Sequence, residues 1–188
     1  YKDIVERYEI KNRYGLEFFI RSLISSFAGK TSMRKVLNSL RSQGVKISKT
    51  TLYNFQKILE DVRIFFFLRK YGKSVKKIEM TIPKVYCIDN GLYTYMERKK
   101  DIGKLMENFV FLELIKRGYE ENRDIFYVDL RDGEIDFLIK DGLYVKQLIQ
   151  VTYASSKDEI EQREIKALLK AYDLFKEHNP ELVVITWD

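Results

Sequence analysis

Cysteine and histidine are almost absent: the chain has one of each, Cys87 and His178. A single thiol excludes an intrachain disulfide. Inside the apolar run Val85–Ile88, Cys87 reads as a small buried hydrophobe. The two scarcities together remove zinc fingers, His-rich metal sites and His-based triads. Carboxylates and lysines must therefore carry any hydrolytic chemistry. No apolar run approaches the roughly 20 residues needed to cross a bilayer, and no signal-like segment opens the chain. A cytoplasmic protein with no membrane partner is expected, and a lone thiol fits a reducing compartment. The chain begins at Tyr1 and not at Met, which predicts a piece of a longer polypeptide.

What is present suffices for folded cores. The 188 residues are 45% hydrophobic and 14% aromatic, and the 33% charged fraction fits a solvated surface. That length allows one large domain or two small ones, at roughly 100–150 residues per domain. The net charge of +6 is uneven. Between Lys30 and Lys84 stand fourteen Lys or Arg against Glu60, Asp61 and Glu79, a net +11 that leaves −5 for the remainder. Such asymmetry points to a polyanion partner for the first half; the plain alternative is a solvated basic surface.

In the first half, residues 2–9 and 15–27 read as helices, the second with Leu16, Phe19, Ile20, Leu23, Ile24 and Phe27 on one face. A third helix over 32–42 turns Val36, Leu37 and Leu40 inward, with Gly44 as its C-terminal stop. Ser48 is a candidate N-cap for a fourth helix buried through Leu52, Phe55, Ile58, Leu59 and Val62. Ile64–Leu68 and Lys84–Ile88 are strand-like, joined by a lysine-rich loop from Arg69 to Pro83. Helix, turn, helix and a hairpin with a basic loop is the outline of a winged helix, whose second helix enters the major groove of DNA. The outward residues of that helix are Lys49, Thr50, Tyr53, Asn54 and Lys57, and the loop offers Arg69, Lys70, Lys73, Lys76 and Lys77 to phosphates. Gly29-Lys30-Thr31 resembles the tail of a phosphate-binding loop, but Ile24 stands where its first glycine belongs and a helix precedes it.

In the second half, the polar stretch Gly91–Gly103 reads as the connection between domains. A helix over 104–117 follows, with Leu105, Phe109, Leu112 and Ile115 as its apolar stripe and Glu107 as an inward acid. Three strands are expected at 124–129, 134–140 and 144–153, separated by the turn signals Asp132-Gly133 and Asp141-Gly142. A long helix over 158–177 and an apolar strand over 182–187, placed at a sheet centre, close the chain. Helix, three strands, helix, strand is the core order of the PD-(D/E)XK nuclease fold. Its chemistry needs acids converging on a divalent cation and a lysine beside the attacking water. Asp136 lies on the second strand. On the third, where an acid-x-lysine belongs, the sequence reads Gln150-Val151-Thr152. Gln150 supplies a neutral oxygen in place of a carboxylate, and Thr152 cannot supply a positive charge. Glu134 and Asp136 also read as plain partners for Lys140 and Lys146.

Several segments together resemble one family: the opening Tyr1–Tyr8, Thr51-Leu52, Val85-Tyr86, Ile88-Asp89-Asn90-Gly91, Glu107-Asn108, Glu134-Ile135-Asp136-Phe137 and Gln150-Val151. It is the uncharacterised C-terminal region of archaeal and bacterial AAA-type ATPases, and the resemblance covers nearly the whole chain. It implies an ATP-binding domain N-terminal to this chain, a winged helix and a restriction-endonuclease-like domain. By motif position, Glu107, Asp136 and Gln150 fall in the metal-binding places, with Glu107 and Asp136 holding magnesium or manganese weakly. Arg163-Glu164 also matches a family motif. The expected fold class is α+β: a helical winged-helix domain over 1–95, then an α/β PD-(D/E)XK nuclease-like domain with a mixed sheet over 96–188. Three functions follow: a DNA-binding module of an ATPase with a catalytically weak or inactive nuclease-like domain; an active Mg- or Mn-dependent DNA endonuclease using Lys140 or Lys146; or a protein-interaction arm that assembles the ATPase. In none does this fragment bind or hydrolyse ATP.

Overall fold

The protein is seen in a computed structural model that describes residues 2–72, 74–97, 100–131, 133–154 and 162–187. It is α+β with a mixed sheet in its second half. The order begins α1 (Lys2–Arg7), α2 (Arg13–Ser25), β1 (Gly29–Lys30), α3 (Met33–Ser42), α4 (Lys49–Asp61), β2 (Phe65–Leu68), α5 (Val75–Glu79) and β3 (Lys84–Cys87). It continues with α6 (Asn90–Met96), α7 (Ile102–Lys116), β4 (Ile125–Leu130), β5 (Gly133–Asp141), β6 (Tyr144–Val151), α8 (Gln162–Phe175) and β7 (Glu181–Ile185).

Side-chain caps fix the helix starts. Ser32, Ser48 and Asp101 each accept from a backbone N–H three residues on, satisfying one of the donors a helix N-terminus leaves open. Between α3 and α4 the chain turns through Gly44, whose φ of +79° a side chain would resist. The faces read from helical periodicity are the buried ones: Leu16, Phe19, Leu23 and Ile24 on α2, and Leu52, Phe55 and Leu59 on α4. Helices α2 to α4 pack on one another, and α4 lies on a small antiparallel sheet of order β1-β3-β2, every residue of β2 and β3 being buried.

The second sheet has the order β4-β5-β6-β7, antiparallel except for the parallel pair β6–β7. One core runs through both halves. Phe111 of α7 stacks on Tyr86 of β3 at 4.3 Å between ring centroids and meets Phe66 of β2 at 5.2 Å. A second core lies between the sheet and α8, built from Phe126, Leu138, Leu148, Leu168 and Ala171 among others. There α8 rests so closely on β5 that a Cβ on Gly133 would stand 2.8 Å from that of Ala167. The segment after β2 also pairs with β4: Tyr71 N–H donates to the Tyr127 carbonyl at 2.8 Å and Tyr127 N–H to that of Arg69 at 3.1 Å.

Four expectations are corrected here. The stretch Arg69–Pro83 is not an open loop. It contains α5, and Tyr71 leaves it to pack edge-on against Phe126 and Phe175. The connection Gly91–Gly103 holds most of α6, capped by Asp89 and anchored by buried Tyr93. On α7 the deeply buried residues are Met106, Asn108, Val110, Phe111 and Leu114, while Phe109 is exposed; the helix is apolar on almost every side, so periodicity alone did not select the face. Strand β7 is at a sheet edge and only half buried, because it pairs with β6 alone. The expected helix start at 158–161 lies outside the described residues.

Candidate acid cluster and basic helix face

β3 begins immediately after Pro83 and runs antiparallel to β2, which presents Lys84 and Tyr86 on the same side by strand alternation. Opposite them, α7 carries Glu107 about a turn and a half from its start, and β5 carries Glu134 and Asp136, again two residues apart. The Lys84 ammonium meets all three acids, at 2.7 Å from Glu107, 2.6 Å from Glu134 and 3.0 Å from Asp136, with only 3% of its side chain exposed. The Tyr86 hydroxyl donates to the same Glu107 oxygen at 2.6 Å, and the Val151 N–H of β6 donates to the second Asp136 oxygen at 2.9 Å.

The electrostatics follow from burial and mutual contact. Burial opposes the Lys84 charge, but Glu107, Tyr86, Asp136 and Glu134 together outweigh it and hold the ammonium well above the ordinary lysine value. Burial, then the Asp136 carboxylate, push Glu107 up to about 7 against the pull of Lys84. Burial and then Glu107 likewise push the Tyr86 hydroxyl well up.

A second lysine extends the network. Lys30 of β1 bonds the other Glu134 oxygen at 2.7 Å and Asp129 of β4 at 2.8 Å, and Lys70 approaches Asp129 at 3.5 Å. Burial disfavours charge on both Lys30 and Asp129; their contacts overcome it, raising the first and lowering the second. Lys30, Asp129, Glu134 and Asp136, with Gln150 of β6 and Arg163 of α8, border a cleft of about 500 Å³. Gln150 is buried, and its Oε1 has no hydrogen-bond partner among the described residues.

Glu107 and Asp136 are thus brought together, with Gln150 beside Asp136 along the cleft. Thr152 is buried past the end of β6, its N–H bonded to the Ile185 carbonyl, and does not border the cleft. The lysines considered as helpers lie elsewhere: Lys140 donates to the Gly142 carbonyl and Lys146 stands 3.9 Å from Asp141, both at the far hairpin. The partners of Glu134 and Asp136 are Lys84 and Lys30 instead. Sequence reasoning missed Lys84, Glu134 as a cluster member, and Tyr86. The one available signal was a lysine heading a strand otherwise made of Val85, Tyr86 and Cys87.

A divalent metal does not fit the acids as they stand. Among the described residues no group of three or more His, Cys, Asp or Glu could hold an ion, and the place between Glu107, Glu134 and Asp136 is filled by an ammonium.

The basic face is divided. Lys49, Thr50, Tyr53, Asn54 and Lys57 all lie exposed along one side of α4, with the Lys49 ammonium 5.6 Å from the centre of the Tyr53 ring. Lys76 and Lys77 are exposed on α5. Arg69 and Lys70 are partly engaged within the chain: Arg69 donates to the Thr81 carbonyl at 3.0 Å, and Lys70, 36% exposed, faces Asp129 at 3.5 Å. Lys73 lies outside the described residues. With Arg63, which pairs with Glu121 at 2.6 Å, basic residues at 30, 63, 70 and 84 point across to acids of the second half. Part of the +11 excess therefore balances the chain's own −5.

The family model described as Domain of unknown function (DUF8612) matches residues 1–102, and that described as Domain of unknown function (DUF4143) matches residues 102–188. Uncharacterized protein MJ1544 of Methanocaldococcus jannaschii is 36% identical over 189 aligned positions, covering all of this chain and 42% of the relative. An uncharacterized protein of Haemophilus influenzae is 29% identical over 154, covering 79% of this chain and 38% of the relative. The chain thus spans about two fifths of the length of these curated relatives. No solved structure matches it significantly. No helix among the described residues is long and apolar enough to cross a membrane.

Proposed function

For this chain, which belongs to the family described as Domain of unknown function (DUF8612), we propose a duplex-DNA-binding module whose second half is a PD-(D/E)XK-type sheet without cleavage activity. In the full-length protein it is the C-terminal part of an AAA-type ATPase, a partnership resting on the sequence resemblance and in keeping with the greater length of the relatives. The observation that carries the reading is the solvent-facing row on α4. Two lysines, a threonine, an asparagine and a tyrosine share one exposed helix side, free, among the described residues, of the acid contacts that absorb Lys30, Lys70 and Lys84. Helix, turn, helix and a following strand pair is the winged-helix arrangement, in which that row faces the major groove. The absence of cleavage follows from Gln150 in place of a carboxylate and from an ammonium among the acids, which leaves no open position for a metal-bound water. Fluorescence anisotropy with a labelled duplex tests the reading: the wild-type chain binds at low salt without ATP, and a Lys49→Ala/Lys57→Ala chain binds more weakly.

A second reading, a partner-docking arm, is favoured by one observation. An apolar cleft of about 720 Å³ between α7 and the end of the chain is bordered by Ile102, Phe109, Val110, Ile185 and Trp187, with Phe109 and Trp187 mostly exposed. Phe109→Asp separates the two: it abolishes assembly with the ATPase domain if this cleft docks that domain, and leaves duplex binding unchanged.

A further inference from the structure

We propose that the Lys84 ammonium is a built-in substitute for a divalent cation, filling the acid cluster, keeping metal out, and pinning β3 of the first half to α7 and β5 of the second. An ammonium has three N–H donors and no acceptor. Here Glu107 and Asp136 accept hydrogen bonds at 2.7 and 3.0 Å, and Glu134 adds an ion-pair contact at 2.6 Å. The acids are fixed from behind as well: Glu134 by Lys30, Asp136 by the Val151 N–H, Glu107 by Tyr86. The ammonium thus stands among oxygens as a cation would, covalently tethered and so present at a high effective concentration.

A second observation concerns the adjoining cleft. Gln150 is 8% exposed and its Oε1 accepts no hydrogen bond from the described residues, although it borders the same cleft as Glu134 and Asp136. The three carboxylates that converge on Lys84 are oxygen ligands of the kind calcium accepts at about 2.3–2.6 Å, whereas magnesium demands about 2.0–2.1 Å. The Nζ–O distances of 2.6–3.0 Å therefore suit a calcium-sized ion after a contraction of a few tenths of an ångström.

The inference goes beyond the duplex-binding reading and stands on the cluster geometry alone, so DNA binding and metal binding fail or succeed separately. The test compares the wild-type chain with Lys84→Met, which keeps the aliphatic length and removes the charge. Calcium binding is followed by titration calorimetry and by the calcium-induced shift in Tm. Terbium luminescence sensitised by Tyr86 locates the ion. The wild-type chain shows no saturable binding at millimolar calcium and no Tm shift. Lys84→Met binds calcium at least about tenfold more tightly, its Tm rises with calcium, and both effects vanish when Asp136→Asn is added. If Lys84→Met does not fold alone, calcium must restore its fold by mass action. Equal calcium affinity in the wild-type chain, abolished by Asp136→Asn, overturns the proposal. So does a Lys84→Met chain that calcium neither binds, stabilises nor refolds.

Discussion

Lys84 Nζ lies 2.7 Å from Glu107 Oε1, a contact between residues 23 positions apart that joins β3 to α7 at the centre of the molecule. Removing one member of a buried ion pair leaves the other charge without a partner in low dielectric, which costs about 3–5 kcal/mol. Lys84→Met is therefore expected to lower unfolding stability by that order in urea titrations without added metal. Lys70→Ala, at a half-exposed pair with Asp129, should change it by less than about 1 kcal/mol. Similar losses in both variants would remove the special place of Lys84.

The acid cluster also sets a pH dependence. Glu107 is raised to about 7 in the folded chain from an ordinary value of 4.5, by burial and by Asp136. Between those two values the folded state binds more protons than the unfolded one, so this group makes stability fall as pH rises through the window. Glu107→Gln abolishes that part of the slope. Urea midpoints measured between pH 4.5 and 7.5 decide the point: parallel curves for wild type and Glu107→Gln would contradict it.

Much of the fold was legible because local rules sufficed. The faces of α2 and α4 follow from apolar spacing, and Ser48 caps α4 as its position suggests. The hairpin at Gly142, with φ of +59°, follows from its Asp-Gly signal. The candidate site was legible only in part. Glu107, Asp136 and Gln150 could be placed by element order, but Lys84 answers to partners 23, 50 and 52 residues away, and no local period encodes such a contact. Short helices were lost for a related reason. Ser74 and Asp89 cap α5 and α6, yet five and seven residues amid lysine and glycine give too little periodicity to distinguish from a loop.

Charge that is already paired should not read as DNA-binding charge. Lys49→Ala and Lys57→Ala are each expected to reduce the log–log salt slope of duplex binding by about 1 and to weaken binding alike across sequences. Lys30→Ala and Lys70→Ala, whose ammonium groups face Asp129, should leave the slope unchanged. Equal effects from both sets would return the interface to the whole basic segment and away from α4.

Cleavage should be absent from plasmid, linear and branched DNA in magnesium and in manganese. The acid set lacks one carboxylate at Gln150, and Lys84 holds the others. Gel assays with Asp136→Asn as the contamination control check this; robust cleavage lost in that control would establish an active endonuclease.

The most direct measurement of the account as a whole is a salt titration of duplex binding by the wild-type chain, without ATP. If about four to six phosphates are contacted, the log–log slope is near −4 to −5, and Lys49→Ala/Lys57→Ala flattens it by about 2. No measurable binding at low salt, or a slope that the double change on α4 leaves unaltered, would contradict it.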